Sequence, residues 1–211
     1  MGMVATREWT VAEVLALPYD GRGYELIGGR LYIWGTLVTG DEIPGPSELV
    51  TPSPSWVHQR AVLGLATRLR SYLGERRAGS VLIAPADVEL AEGSVVEPDV
   101  FVVPLVAGRA PRTWQEAGQL LLVVEVLSPG TARHDRVTKR RLYQGQGVPE
   151  YWIVDVDARI VERWRPGDER PEMLEERLEW RPEEASQGQE DPTTPALVID
   201  LGQFFAEIAD D

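Results

Sequence analysis

The run "QLLLVVEVL", residues 119–127, constrains the fold more than any other feature of the chain. From Leu120 to Leu127 every residue except Glu125 is apolar, so an extended segment here has no face fit for water. That is the signature of a strand buried on both sides in the middle of a sheet. Side chains alternate along a strand, so Glu125 shares its face with Val123 and Leu127. An ionised carboxylate in such a place costs several kcal/mol unless it is paired, hydrogen-bonded or bound to a cation. Something must meet Glu125.

The chain offers two kinds of partner. It has 21 Lys plus Arg, of which only Lys139 is lysine. An arginine paired with Glu125 is the plainer reading. Lys139 is the other, because a compact ammonium is the cation suited to proton chemistry and to holding water. One leftover surface lysine is the alternative to that role.

Around the apolar run the pattern is mixed. "TVAEVLALP" reads as a short helix with Thr10 as N-cap and Glu13 completing a capping box. "YELIGGRLYIWG" alternates about two glycines and predicts a hairpin with Glu25 on its first strand. Residues 36–54, rich in Gly, Pro and Ser, read as a loop. From Ser55 to about Arg77 the apolar residues Val57, Ala61, Val62, Leu65, Leu69, Tyr72 and Leu73 recur at helical spacing, predicting the main amphipathic helix. "SVLIAPADVEL" and "VVEPDVFVVP" predict two strands joined by a Gly-containing turn. A Pro and Arg loop then leads to the apolar run.

After Ser128-Pro129-Gly130 a helix is expected from about Asp135 to Gln146, then strands "EYWIVDV" and "RIVERWR" with a turn at Asp157-Ala158. One short edge strand is expected around Met173 to Trp180, and "ALVIDLGQFFAEI" predicts a closing strand and short helix.

The expectation is an α/β (α+β) fold in one domain spanning 1–211: a central mixed sheet flanked by helices, with an N-terminal hairpin extension. Its core covers about 10–164, an acidic loop or edge segment 166–195, and the closing strand and helix 196–211. With 43% hydrophobic residues in 211, the core needs no covalent staples, and the absence of cysteine excludes disulfides and thiolate metal sites. No run approaches a membrane span, and the N-terminus lacks a signal-peptide pattern, so a soluble cytoplasmic protein without membrane association is expected.

The net charge of −13 argues against coating nucleic acid through bulk electrostatics. Its distribution is uneven. Residues 168–191 carry ten acids against three arginines and read as a solvated segment. Residues 133–141 carry four arginines and Lys139 against Asp135 alone, a basic island on an acidic protein.

Asp99 follows Pro98 at a strand start. If its strand neighbours that of Glu125, the two acids converge on one hard divalent cation, Mg²⁺, with the Val126 carbonyl as a third oxygen. On the following helix Asp135, Lys139 and Tyr143 stand at i, i+4 and i+8, along one face. Lys139 would then point back over the strand ends and hold or deprotonate a water.

Four blocks, "YELIGGRL", "PDVFVV", "LLLVVEVLSPGTARHDRVTKRRLY" and "GVPEYWIVD", occur together in this order. They resemble the Uma-two family, restriction-endonuclease-like proteins of the PD-(D/E)XK nuclease superfamily, from about Thr10 to Trp164. The resemblance implies Mg²⁺-dependent (or Mn²⁺-dependent) hydrolysis of phosphodiester bonds in nucleic acid, DNA in the first place, by a restriction-endonuclease-like homodimer. It implies metal ligands at Asp99 and Glu125, with Glu25 as an additional acidic position near the metal. In the wider superfamily the lysine stands two residues after the second acid, where this chain has Leu127. The family's migrated lysine maps onto Lys139. Arg133, Arg136 and Arg140 would then meet phosphates.

Plainer readings stand beside these. Asp99 can cap a turn, and Asp135 with Lys139 can be an i,i+4 ion pair worth about 0.3–0.5 kcal/mol. His58 reads as a site-edge residue or a solvated helix start, His134 as a loop residue beside the site, and Tyr143 as a site edge or core tyrosine. Trp152 and Trp164 read as fold-forming or as interface residues. A Ser128-based hydrolase would need a nucleophile elbow, and "EVLSPGT" lacks its small-residue framing. The alternative function is a non-catalytic nucleic-acid-binding or protein-binding module on the same fold, or a structural protein with salt-bridged acids.

Overall fold

The apolar run forms the middle of the larger of two sheets. A computed structural model describes residues 7–18, 20–40, 42–45, 54–182 and 195–210. Its elements are α1 (Val11–Leu15), β1 (Tyr24–Ile27), β2 (Arg30–Ile33), β3 (Thr36–Leu37), α2 (Trp56–Arg76), β4 (Ser80–Ile83), β5 (Val88–Ala91), β6 (Ser94–Val96), β7 (Val100–Val103), α3 (Trp114–Ala117) and β8 (Leu122–Val126). A π-helical segment, His134–Lys139, then runs into α4 (Arg140–Gly145). Strands β9 (Tyr151–Asp155), β10 (Ile160–Trp164), β11 (Glu172–Leu174), β12 (Arg177–Trp180) and β13 (Leu197–Asp200) follow, and α5 (Leu201–Asp210) closes the chain's described part.

The larger sheet has the order β11-β10-β9-β8-β7-β4. Strand β8 runs antiparallel to β7 and parallel to β9, so the sheet is mixed at its centre. All five β8 residues are buried. Leu122, Val124 and Val126 pack with Leu65 and Leu69 of α2 and Phe204 of α5. On the opposite face Val123 and Leu127 join Tyr143, Tyr151 and Ile153. Glu125 belongs to this second face, as the strand alternation requires.

Helix α2 covers the first face. The Ser55 side chain accepts the His58 N–H at its start, and Arg77 ends it in the left-handed region at φ 53°. Fully buried Leu65 and Leu69 each contribute about 1.5–3 kcal/mol through removal of apolar surface from water.

The smaller sheet, ordered β3-β2-β1-β6-β5, has its own core of Trp9, Leu26, Leu31, Ile33 and Val95. Its β1–β2 hairpin forms as expected. Gly28 and Gly29 both have positive φ (57° and 74°), the geometry a two-residue turn needs to match strand twist and one that side chains resist. Strand β3 continues the hairpin into residues read from sequence as loop.

The two strands expected over 80–104 are four. Each breaks at its proline, which has no N–H for the ladder. Before Pro85 lies β4 and after Pro98 lies β7, both in the larger sheet, while β5 and β6 between them belong to the smaller one. The expected edge strand 173–180 is likewise two: β11 pairs with β10, whereas β12 pairs with β13 and turns Leu178 and Trp180 into the α2-side core. Within the Pro and Arg loop, Thr113 caps α3 by accepting the Glu116 N–H. Most of the loop 41–53 and residues 183–194 of the acidic segment lie outside the described residues. Trp152 is completely buried and Trp164 nearly so, so both are spent on the monomer's core rather than on an interface. Among the described residues no helix is long and apolar enough to cross a membrane.

Candidate active site

The site gathers where the C-terminal end of β8 meets the start of β7, the π-helical segment and β1 of the smaller sheet. The β7–β8 register pairs Val100 with Val124, so Asp99, just ahead of β7, lies beside the C-terminal end of β8. Asp99 Oδ2 accepts the Val126 N–H at 2.8 Å and lies 3.3 Å from His58 Nε2. The plainer reading of His58 as a solvated helix start does not hold: the ring is buried. In an extended strand one residue's N–H and C=O face the same neighbour, so the Val126 carbonyl looks toward the Asp99 side.

Lys139 answers the demand of Glu125. Its Nζ donates to Glu125 Oε1 at 2.8 Å, lies 2.8 Å from Glu25 Oε1 and 3.6 Å from Asp135 Oδ1. It is 5% exposed, which removes the surface-lysine alternative. Tyr143 OH donates to the same Glu125 oxygen at 3.3 Å. Glu25 has both oxygens engaged: Oε1 by Lys139 and the Glu97 N–H (3.2 Å), Oε2 by His134 Nε2 (3.0 Å). Asp135 is buried, and its Oδ1 has no hydrogen-bond partner.

Three carboxylates therefore surround one ammonium. Burial pushes the Glu125 carboxyl well above the ordinary range against the pull of Lys139, and Asp99, Asp135 and Glu25 push the same way. Burial also raises Asp135, again against Lys139. Burial would raise Glu25 too, but the Lys139 charge and the His134 contact hold it at about 2. For Lys139 burial acts downward, yet Glu125, Glu25 and Asp135 overcome it and raise the amine well above its usual value. The surrounding carboxylates thus favour the protonated form of Lys139, the form that donates hydrogen bonds.

Sequence reading passed over Glu97, the residue before Pro98. Burial, with Asp87 and Glu25 nearby, pushes its carboxyl up to about 7. It also missed that His134 is a buried partner of Glu25, its ring 4.4 Å from that of Tyr32. The signal was the five-residue spacing from His134 to Lys139, which has meaning only in a π-helix.

The three arginines separate. Arg136 is held by Asp155 at 2.9 Å and Glu162 at 2.6 Å. Arg140 donates to the Arg136 carbonyl and to Gln144 Oε1, and its guanidinium lies over the Trp164 ring. Arg133 is exposed, with no partner among the described residues.

Among the described residues no group of three or more His, Asp or Glu is arranged to hold a metal ion. The donor chemistry still suits a hard cation. Asp99, Glu125 and the Val126 carbonyl are oxygen donors at one strand end, and the neighbouring Asp135 Oδ1 is buried without a hydrogen bond.

A mixed sheet flanked by helices, with acids at paired strand ends and a buried lysine from the next helical segment, defines a nuclease-like α+β fold. A solved structure from Anabaena variabilis ATCC 29413, described as "a putative nuclease belonging to DUF820", matches it with a TM-score of 0.65 at 20% identity, covering 94% of this chain and 98% of that one. At that identity the likeness speaks for the fold. The model of the Uma2 family, described as "Putative restriction endonuclease", matches residues 43–201, and the chain belongs to that family. The match begins after β3 and so leaves Glu25 outside it. No curated protein matches at a significant level.

Proposed function

We propose that this chain is a Mg²⁺-dependent (or Mn²⁺-dependent) nuclease that hydrolyses phosphodiester bonds, with DNA as its substrate. The single observation that carries the reading is the contact of Lys139 Nζ with Glu125 at 2.8 Å, next to Val126, whose N–H Asp99 accepts. On this reading Lys139, delivered from the helical segment, does the work of a strand lysine. Asp99 and Glu125, with the Val126 carbonyl, would hold the cation. When bound, the cation supplies Lewis-acid stabilisation of negative charge developing on the phosphoryl oxygens.

The chain's own residues do the rest. Lys139, kept protonated by its carboxylates, donates hydrogen bonds that orient the attacking water and offset its developing charge. Tyr143 fixes the Glu125 oxygen that Lys139 uses. Arg133 is available for a phosphate, whereas Arg136 and Arg140 hold the helical segment in place. Cutting both strands of a duplex needs two centres, so the reading includes a homodimer, acting in the cytoplasm.

Calorimetric titration of Mg²⁺ and Mn²⁺ into wild type and Glu125→Gln, followed by cleavage assays on DNA and RNA, tests this. Metal binding lost in Glu125→Gln, with cleavage lost in Glu125→Gln and Lys139→Met, is the expected result. Nucleic-acid binding without metal binding or cleavage would replace it with the non-catalytic module. Light scattering reads the dimer.

A further inference from the structure

Lys139 makes its contacts only if its ammonium stays between β8 and β1, and the π-helical segment supplies the means. In an α-helix, residues five apart point about 140° from each other. In a π-helix the i→i+5 hydrogen bond stacks them on one side. The Arg140 N–H bonds the Asp135 carbonyl, five residues back. Accordingly His134, Asp135 and Lys139 are buried while Arg136, Val137 and Thr138 are not. The π-turn therefore brings His134 to the same side as Lys139, and both reach Glu25.

We propose that His134 is a positioning residue for Lys139, acting through Glu25. His134 Nε2 engages Glu25 Oε2 at 3.0 Å, which leaves Oε1 turned to Lys139 Nζ at 2.8 Å. The Glu97 N–H at 3.2 Å on Oε1 completes the fixation. Both Glu25 oxygens are thereby occupied, so Glu25 serves as the lysine's holder rather than as a metal ligand. The His134 ring is itself seated: it lies against Tyr32, and a side chain at Gly35 would come within 3.0 Å of His134 Cβ. Gly35 has a φ of 73°. The smaller sheet thus contributes β1, Tyr32 and Gly35 to holding a residue of the site.

The chain's single lysine makes the test direct. Selective ¹³Cε,¹⁵Nζ-lysine labelling gives one NMR signal, that of Lys139, readable without metal, substrate or turnover. Two variants separate hydrogen bonding from packing. His134→Gln keeps a donor for Glu25 but loses the ring, and His134→Phe keeps the ring but loses the donor. Positioning predicts that Gln preserves the wild-type Lys139 signal and its slow Nζ proton exchange, while Phe moves the signal toward that of free lysine and speeds exchange at least tenfold. A merely structural His134 predicts the reverse, and that result, or an unchanged signal in a folded His134→Phe, overturns the proposal. Should His134→Phe fail to fold, His134→Ala stands in, read by the same signal against His134→Gln: a shift in Ala that Gln does not show supports the clamp, and equal signals in the two overturn it.

The functional role rests on the nuclease reading. There, His134→Phe lowers kcat roughly 10–100-fold, the range for residues that orient others in a site, with KM unchanged and His134→Gln recovering most of the rate. Absence of cleavage in wild type would sink the nuclease reading while leaving the lysine signal to judge the clamp.

Discussion

Replacing Lys139 by Met keeps an unbranched, flexible side chain and removes the ammonium of the chain's only lysine. Glu25, Glu125 and Asp135, all buried, are then left without the cation that lies 2.8, 2.8 and 3.6 Å from them. Removing one partner of a buried ion pair costs about 3–5 kcal/mol because the remaining charge stays desolvated. Glu25 retains His134 and the Glu97 N–H, and Glu125 retains only Tyr143. The loss should therefore fall near that range at pH 8, which for a domain of this size lowers Tm by about 6–20 °C. Protons can replace the lost cation. A carboxyl raised in the folded state binds its proton more tightly there than in the unfolded chain, so its destabilising effect grows as pH rises from the ordinary value. The Lys139→Met penalty should accordingly shrink as pH is lowered from 8 toward 5. In wild type, Glu25 behaves oppositely: held at about 2 against an ordinary 4.5, its stabilising contribution is present above 4.5 and lost as pH falls toward 2. Urea unfolding of both proteins in metal-free buffer across pH 5–8 measures the difference. A penalty below about 1 kcal/mol, or one that does not change with pH, refutes the claim that Lys139 neutralises this cluster.

Glu97, raised to about 7 from 4.5, costs stability as pH rises through that window. Glu97→Gln should be the more stable protein at pH 8 by about 1–2 kcal/mol, after discounting for the group's partial exposure, and parallel stability–pH curves would contradict it. Arg133→Ala should leave Tm unchanged yet lower the salt dependence of oligonucleotide binding by about one phosphate contact. Arg136→Ala should instead lower Tm, since it strands the buried Glu162, and equal binding losses in the two variants would show the assignment wrong. Trp152→Ala, deep between α2 and the larger sheet, should cost about 3–5 kcal/mol in chemical unfolding, and a loss under 1 kcal/mol would mean the indole is not core.

Much of this molecule is legible in its sequence because local rules act strongly in the right places. An apolar run with no wet face makes β8 central, paired glycines close the β1–β2 hairpin, and helical spacing from Val57 to Leu73 sets α2. The same rules show that Glu125 needs a partner. They do not say which. Helical spacing put Lys139 on a face that could turn back over the strand ends, but it did not by itself decide between Lys139 and the more numerous arginines. Strand alternation could not show that Pro85 and Pro98 would send neighbouring segments into different sheets, nor that Trp152 and Trp164 would be consumed by the core.

The tertiary structure decided those matters because they depend on residues far apart in sequence. Glu25 and Lys139 are brought together only when the hairpin's sheet packs beside the larger one. His134 joins them only because the helical segment widens into a π-turn, which sets it on the same side as Lys139. The sequence determined by itself that a charge would be buried in the central strand. Only folding determined how that charge is met, because electrostatic partners are chosen by distance in space.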